Sequence, residues 1–393
     1  MTKVQEAQKY LKELGLDGWL LYDFHGNNEL ARLFLGLTSD SITTRRFFYW
    51  IPVKGEPIKI VHAIESHVLD QCAGEKRTFL SWQSLEKEVG RVLKGVKKIA
   101  MEYSFKNAIP YISRVDAGTV DLVRSFGVEV VSSGDFLANF TAVLSDEQGQ
   151  SQIRAGKACD RIVNGAWKWI CEQLVNKNAI TEYDVQQKIV EEFKKSNLVT
   201  DHPPIVAVNA HSADPHYEPL KVGSSVIQRG DFILIDLWAK ENVEGAVYGD
   251  ITRVAVAANK PTDRQLEIFQ IVRSAQIAAL ELVTGRFSQK KRVEGWEVDQ
   301  AARRVIEDAG YGEFFIHRTG HSIEVSLHGS GAHMDDLEMH DVRPLLPGTC
   351  FSIEPGIYLP DEFGVRLEHD VYIHPDGTVE VTGGIEDSLL CLF

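Results

Sequence analysis

Apolar positions at Val4, Ala7, Tyr10, Leu11 and Leu14 fall on one helical face, and Gly15 can stop that helix. The rhythm then shortens. Apolar or β-branched runs at 18–24, 46–53, 58–62, 98–102 and 128–131 read as strands. Between them, 27–37 reads as helix and loop, Phe79 and Leu80 lead into a loop, and 84–93 and 111–126 read as helices. Strands alternating with helices predict a compact α/β domain ending near residue 140. It carries no phosphate loop and no Gly-x-Gly-x-x-Gly.

A different pattern follows. Ser145 with Asp146 and Glu147 behind it is a strong helix start, predicting a helix to about 174. Thr181 with Asp184 starts a second one, to about 195. The loop 201–220 holds three histidines and four prolines. An apolar strand from Phe232 to Leu237, a turn and a second strand around Ile251 form a hairpin, followed by amphipathic helices at 264–284 and 296–309. A helix pair followed by strands thus occurs twice, although no internal repeat is evident. The expected domains are 1–142 and 143–393.

Several acids interrupt these apolar strands. Asp236 lies inside the first strand of the hairpin and Asp250 at the start of the second. Glu354 lies in CFSIEPGIYL and Glu368 in FGVRLEHDVYI, with Arg366 two residues before it on the same face. His317, His321 and His328 lie between. A buried carboxylate costs several kcal/mol unless a partner offsets its lost hydration. Facing acids repel, and a divalent cation between them relieves both problems. Four carboxylates and one imidazole suffice for two metal ions. Any one of these acids alone would read as a satisfied structural residue.

The order Asp236, Asp250-x-Thr252, Gly320-His321, Glu354-Pro355-Gly356, Arg366-x-Glu368 resembles the dinuclear-metal "pita-bread" peptidases, among them methionine aminopeptidase, aminopeptidase P and prolidase. The resemblance covers about 150–393, and the five motifs together are specific where a lone Glu-Pro-Gly would be weak. It implies an α/β two-domain chain: a creatinase/prolidase-like N-terminal α/β domain and a pita-bread catalytic domain (α+β, pseudo-two-fold). It implies that Asp236 chelates one metal, that Asp250 and Glu368 bridge both, and that His321 and Glu354 complete the second. A metal-bridging hydroxide is then the nucleophile, with Glu354 as proton shuttle and Thr252 orienting Asp250 from behind. Mostly oxygen donors with one imidazole suit Mn²⁺ and admit Co²⁺, Zn²⁺ or Fe²⁺; a structural Ca²⁺ site would not call for the imidazole. His216, His317 and His328 match the family's substrate contacts. Arg366 either neutralises a carboxylate or meets substrate.

Three departures stand out. Thirteen residues separate the two aspartates where the family has about ten, the excess falling in the turn. The family's His-x-x-Gly is His321-Ser322-Ile323-Glu324 here, an added charge that could tune specificity. Glu368 is followed by His369, where an acid is common.

The N-terminal domain and the three histidines point to the proline-specific branch. Related dipeptidases carry an arginine about fourteen residues before the first ligand glutamate; that place is His340 here, with Arg343 three residues on. The expectation is therefore a metal-dependent Xaa-Pro aminopeptidase acting on proline-containing peptides. The alternatives are Xaa-Pro dipeptidase (prolidase) and, from another class, a metal-free binding scaffold on the same fold.

Composition adds bounds. A chain of 393 residues, 44% apolar and 25% charged, is that of an ordinary globular protein. A net charge of −14 without a basic run argues against nucleic acid or an anionic membrane as partner. Cys72, Cys159, Cys171, Cys350 and Cys391 are odd in number, widely spaced and without CxxC, which suits free thiols. Cys350, near Glu354, reads as core packing. The N-terminus lacks a signal-peptide pattern and no apolar run is long enough for a membrane span, so the cytoplasm is the expected location. By resemblance the N-terminal domain implies a homodimer.

Overall fold

The computed structural model describes residues 1–37, 41 and 43–393. The chain divides into two compact units, Met1–Thr141 and Ala142–Phe393.

In the first unit the elements run α1 (Lys3–Glu13), β1 (Gly18–Asp23), α2 (Glu29–Leu35), β2 (Phe47–Pro52), β3 (Ile58–His62), β4 (Glu75–Phe79), α3 (Trp82–Val92), β5 (Lys98–Met101), α4 (Ala117–Ser125), β6 (Glu129–Ser132) and α5 (Gly134–Thr141). The six strands make one sheet in the order β4-β3-β2-β1-β5-β6, with β2 antiparallel to both neighbours. Two expectations need correction. β4 reads EKRTF, an edge strand with one buried residue, so it lacks the apolar signature of a strand. The helix expected over 111–126 is only α4, because the Asp116 side chain accepts the Thr119 N–H and caps it there.

In the second unit the elements run α6 (Asp146–Val175), α7 (Glu182–Lys195), β7 (Leu198–Val199), β8 (Ile205–Val208), β9 (Phe232–Glu241), β10 (Gly249–Val256), α8 (Asp263–Ser288), α9 (Gly295–Asp308), β11 (Ser322–Ile323), β12 (Cys350–Ile353), β13 (Gly356–Leu359), β14 (Phe363–Arg366), β15 (His369–Ile373), β16 (Val379–Thr382) and β17 (Leu390–Cys391). Capping boxes at Ser145/Gln148 and Thr181/Asp184 start α6 and α7. β8 is a strand inside the expected loop, a four-residue buried run between Pro204 and Asn209.

β9 and β10 are fully antiparallel and sort their side chains by alternation. Ile233, Ile235, Leu237, Ile251 and Ala255 pack with α6 and α7 in one core. Phe232, Leu234, Val254 and Val256 pack with α8, α9 and β12–β15 in another. Asp236, Asp250 and Thr252 share the second face by parity. Each large apolar side chain so buried contributes about 1.5–3 kcal/mol, which fixes the register that brings the acids in.

The first unit holds a buried acid of its own. Glu102, just past β5, is fully buried and accepts from Trp19 Nε1 (2.6 Å), Asn28 Nδ2 (2.9 Å) and Ser133 Oγ (3.3 Å). Burial outweighs these donors and lifts its pKa from 4.5 to about 7. A carboxyl whose folded pKa is raised binds its proton more tightly folded than unfolded. Its stabilising contribution is complete below about pH 4.5 and is lost as pH rises through about 7. Urea unfolding across that window should therefore fall off more steeply in the wild type than in Glu102→Gln, by roughly 3 kcal/mol in total. Parallel profiles would contradict the assignment.

Candidate metal centre

The hairpin register sets Asp236 opposite Thr252 and Asp250 opposite Trp238, so the two aspartates are diagonal neighbours on one face. The longer turn beyond Glu241 leaves this intact. Of the five expected ligands, only these two lie within strands. His321 stands just before β11, Glu354 just after β12, and Glu368 in the break between β14 and β15, contrary to the expectation that both glutamates sit inside strands. Breaks free the side chain from alternation, so the donors can converge. Gly320 permits a close backbone approach: a Cβ there would lie 2.0 Å from the Ser352 carbonyl oxygen.

Convergence is tight. Asp250, His321 and Glu368 are all buried, and one donor atom from each lies within 4.8 Å of the others. His321 Nε2 lies 3.5 Å from Asp250 Oδ2 and 3.5 Å from Glu354 Oε1. Its Nδ1 faces the Ser322 carbonyl at 3.2 Å, which places the proton there and turns the Nε2 lone pair toward the acids. Burial holds His321 well below its usual pKa, and so neutral. Ser352 Oγ accepts from the His321 N–H (3.0 Å) and donates to Glu354 Oε1 (3.0 Å), joining the two.

Asp236 Oδ2 accepts from Arg366 Nη2 at 2.6 Å. Arg366 Nε donates to Thr252 Oγ1 (3.0 Å), and Thr252 donates onward to Glu368 Oε2 (2.6 Å). Thr252 therefore steadies Glu368, where the expectation had it orienting Asp250. Arg366 Nη1 reaches the Tyr358 hydroxyl (3.0 Å), which meets His317 Nε2 at 2.7 Å. His317 Nδ1 faces the Arg318 carbonyl at 2.7 Å. Burial pushes His317 down to about 3, so it is neutral. Both its nitrogens are thus spent on the protein. His328 and His216 are exposed; the His328 ring stands edge-on to His321, centroids 4.3 Å apart, and the field of His216 reaches Asp236 and His328.

The acids are unstable as a charged set. Asp250 and Glu368 are held well above the carboxylate range, first by burial and then by neighbouring acids. Glu354 is lifted to about 7, by burial against the pull of Arg366 and Arg318. Asp236 Oδ1 and Asp250 Oδ1 are buried with no hydrogen-bond partner. Buried orphan oxygens around a neutral imidazole lone pair are what divalent cations fit.

Sequence reasoning missed Asp370. It is fully buried, accepts the Asp250 N–H (2.9 Å) and Gln152 Nε2 (2.7 Å), and leaves Oδ1 without a partner. Its spacing of two from Glu368 in an apolar stretch was the available signal. His369 beside it is buried and pushed down to about 3 by burial, hence neutral. Arg343 is buried, bonded by Nε and Nη2 to Asp341 and by Nη1 to the Ser330 carbonyl. His340 is exposed, with Nδ1 2.6 Å from Asp336 and its ring 5.0 Å from Trp296. An open cleft of about 1010 Å³ lies in the first unit, but Arg114 there is paired with Glu29 and Asp116 is spent as a cap.

The model of metallopeptidase family M24 matches residues 151–375. The chain is 31% identical over 245 residues to an Xaa-Pro dipeptidase of Lactobacillus delbrueckii subsp. lactis, over 62% of this chain and 60% of that protein. It is 33% identical over 205 residues to an Xaa-Pro dipeptidase of Lactobacillus helveticus, over 51% and 50%. The chain thus spans half to three fifths of these relatives. Among solved structures it is similar to the dipeptidase PepE from Mycobacterium ulcerans, with a TM-score of 0.70 and 24% identity over 99% of this chain and 97% of that one. It is also similar to an X-Pro aminopeptidase from Thermotoga maritima, with a TM-score of 0.58 and 24% identity over 97% and 99%. These likenesses show a pita-bread fold. Among the described residues, no helix is long and apolar enough to cross a membrane.

Cations that relieve the repulsion must stabilise the fold. Adding Mn²⁺ to stripped protein at a hundredfold excess over Kd should raise Tm by roughly 5–10 °C. Asp250→Asn should lose most of that rise while melting higher than wild type without metal, since one repelling charge is gone. An unchanged wild-type Tm would count against these residues as metal donors.

Proposed function

The chain belongs to metallopeptidase family M24, and from that we propose that it is an exopeptidase cleaving the bond between an N-terminal residue and proline. The observation that carries the reading is the set of buried acids with unpartnered oxygens around the His321 lone pair. Asp236, Asp250, His321, Glu354 and Glu368 would hold two divalent ions, Mn²⁺ on the balance of donors. When bound, such ions supply Lewis acidity toward water and the scissile carbonyl.

The remaining work falls to the side chains. An Xaa-Pro bond is a tertiary amide, so its nitrogen carries no proton and must gain one as it leaves. Glu354, held at Oε1 by Ser352 and 3.5 Å from His321 Nε2, would take a proton and pass it to that nitrogen. Arg366 holds Asp236 and, through Thr252, steadies Glu368. His328, edge-on to His321, and His216, whose field reaches Asp236, would donate to the carbonyl oxygen. His317 serves better as a support for Tyr358 and Arg366 than as a substrate contact. The free cysteines support a reducing, cytoplasmic setting.

The aminopeptidase mode is favoured at the position where related dipeptidases carry a carboxylate-gripping arginine. His340 there is drawn to Asp336, and Arg343 is closed off by Asp341. The dipeptidase mode is the second reading, favoured by the names of the Lactobacillus relatives. A metal-free scaffold is disfavoured, because such a protein would have no use for Asp250, His321 and Glu368 gathered with their donor atoms within 4.8 Å of one another.

An Xaa-Pro dipeptide and an Xaa-Pro-Yaa tripeptide, each tested with Mn²⁺ and after chelation, separate these readings. Metal-dependent cleavage of both is expected. Cleavage of the dipeptide alone would move the assignment to dipeptidase, and cleavage of neither would remove the Xaa-Pro reading. In the active enzyme, His328→Ala should lower kcat/KM roughly a hundredfold with bound metal unchanged; a change under threefold would exclude His328 as the carbonyl donor.

A further inference from the structure

The segment from Glu324 to Gly331 has to carry His328 to the metal centre without regular secondary structure. Its backbone donors and acceptors must still be satisfied. The Glu324 side chain does much of this. It is buried, and Oε1 accepts from the Ser330 N–H (2.7 Å), the Gly331 N–H (2.9 Å) and Ser322 Oγ (3.0 Å). Ser330 Oγ lies 3.2 Å from Oε2. The charge expected to tune specificity from beside the metals is instead folded into its own loop.

The surroundings are shaped to this carboxylate. A Cβ at Gly329 would lie 2.4 Å from Glu324 Oε1, so the absent side chain at 329 leaves room for the acid at 324. The Ser330 carbonyl accepts from Arg343 Nη1 (2.7 Å), whose charge is anchored by Asp341. The Gly329 N–H donates to the Ser322 carbonyl (2.7 Å), and Lys240 Nζ donates to the Val325 carbonyl (2.6 Å). The loop is tied at both ends, and His328 stands between the ties, its ring against that of His321.

We propose that Glu324 is a positioning residue for His328: its carboxylate fastens loop 325–331 and so fixes where that imidazole stands beside the metal centre. What His328 then does rests on the Xaa-Pro reading; the fastening does not. A neutral side chain that merely filled the space would leave two backbone N–H groups and two hydroxyls without their shared acceptor. Without that acceptor the loop should loosen measurably.

The test compares wild type, Glu324→Ala, Glu324→Gln, His328→Ala and the double variant Glu324→Ala/His328→Ala, all loaded with Mn²⁺ and checked for equal metal content. Amide hydrogen exchange over 325–331 should be roughly ten- to a hundredfold faster in Glu324→Ala, with Glu324→Gln between it and wild type. On an Xaa-Pro-Yaa peptide, Glu324→Ala should lower kcat more than it raises KM. The double variant should be no slower than His328→Ala alone, because both changes remove the same positioned imidazole. Unchanged exchange, or losses that multiply in the double variant, would overturn the proposal. If Glu324→Ala fails to fold, Gly329→Ala gives the same test by displacing the carboxylate while keeping it. Should wild type cleave no Xaa-Pro peptide, the functional reading fails while exchange alone still decides the fastening.

Discussion

Like charge without water is the constraint on which the rest of this unit depends. Five carboxylates (Asp236, Asp250, Glu354, Glu368 and Asp370) are drawn into one dry region, and the hydrophobic pattern of the flanking strands allows them nowhere else to go. Arg366 answers part of that charge and Thr252 distributes its effect to a second acid. Arg318 and Ser352 ease Glu354 and Gln152 bonds Asp370, yet one oxygen each of Asp236, Asp250 and Asp370 stays buried without a hydrogen-bond partner. Divalent cations have the charge and the donor preference that would match such oxygens.

Much of this was legible because acids inside apolar runs are conspicuous. Asp236 interrupts the buried apolar run of β9, and the alternation that buries Ile235 and Leu237 on one side commits Asp236 to the other. The two helix pairs were equally legible, since capping boxes announce α6 and α7 locally. β4 was not, because an edge strand facing water needs no apolar pattern. Nor were the positions of Glu354 and Glu368 in strand breaks, since where a strand pauses is decided by packing rather than composition.

Side-chain roles followed a similar division. The residues that could hold metal were readable as types; their supports were not. Tyr358 is an unremarkable tyrosine in a strand until three-dimensional placement puts its hydroxyl between His317 and Arg366. Arg343 had the right charge to grip a substrate, yet its side chain is consumed by Asp341 and by the loop that carries His328. Sequence reports which groups exist, and competition among partners decides which remain available.

The donors are divided between the two helix-pair halves of the second unit. Asp236 and Asp250 come from the hairpin that follows α6 and α7, whereas His321, Glu354 and Glu368 come from the strands that follow α8 and α9. If these residues hold metal as proposed, neither half owns a complete coordination set. Cut in the connection between β10 and α8, the chain would yield two fragments that are each chemically mute, and recovered metal affinity would report their reassociation. A metal centre so built would be a checkpoint on assembly: it would exist only in molecules whose two halves have found each other in register.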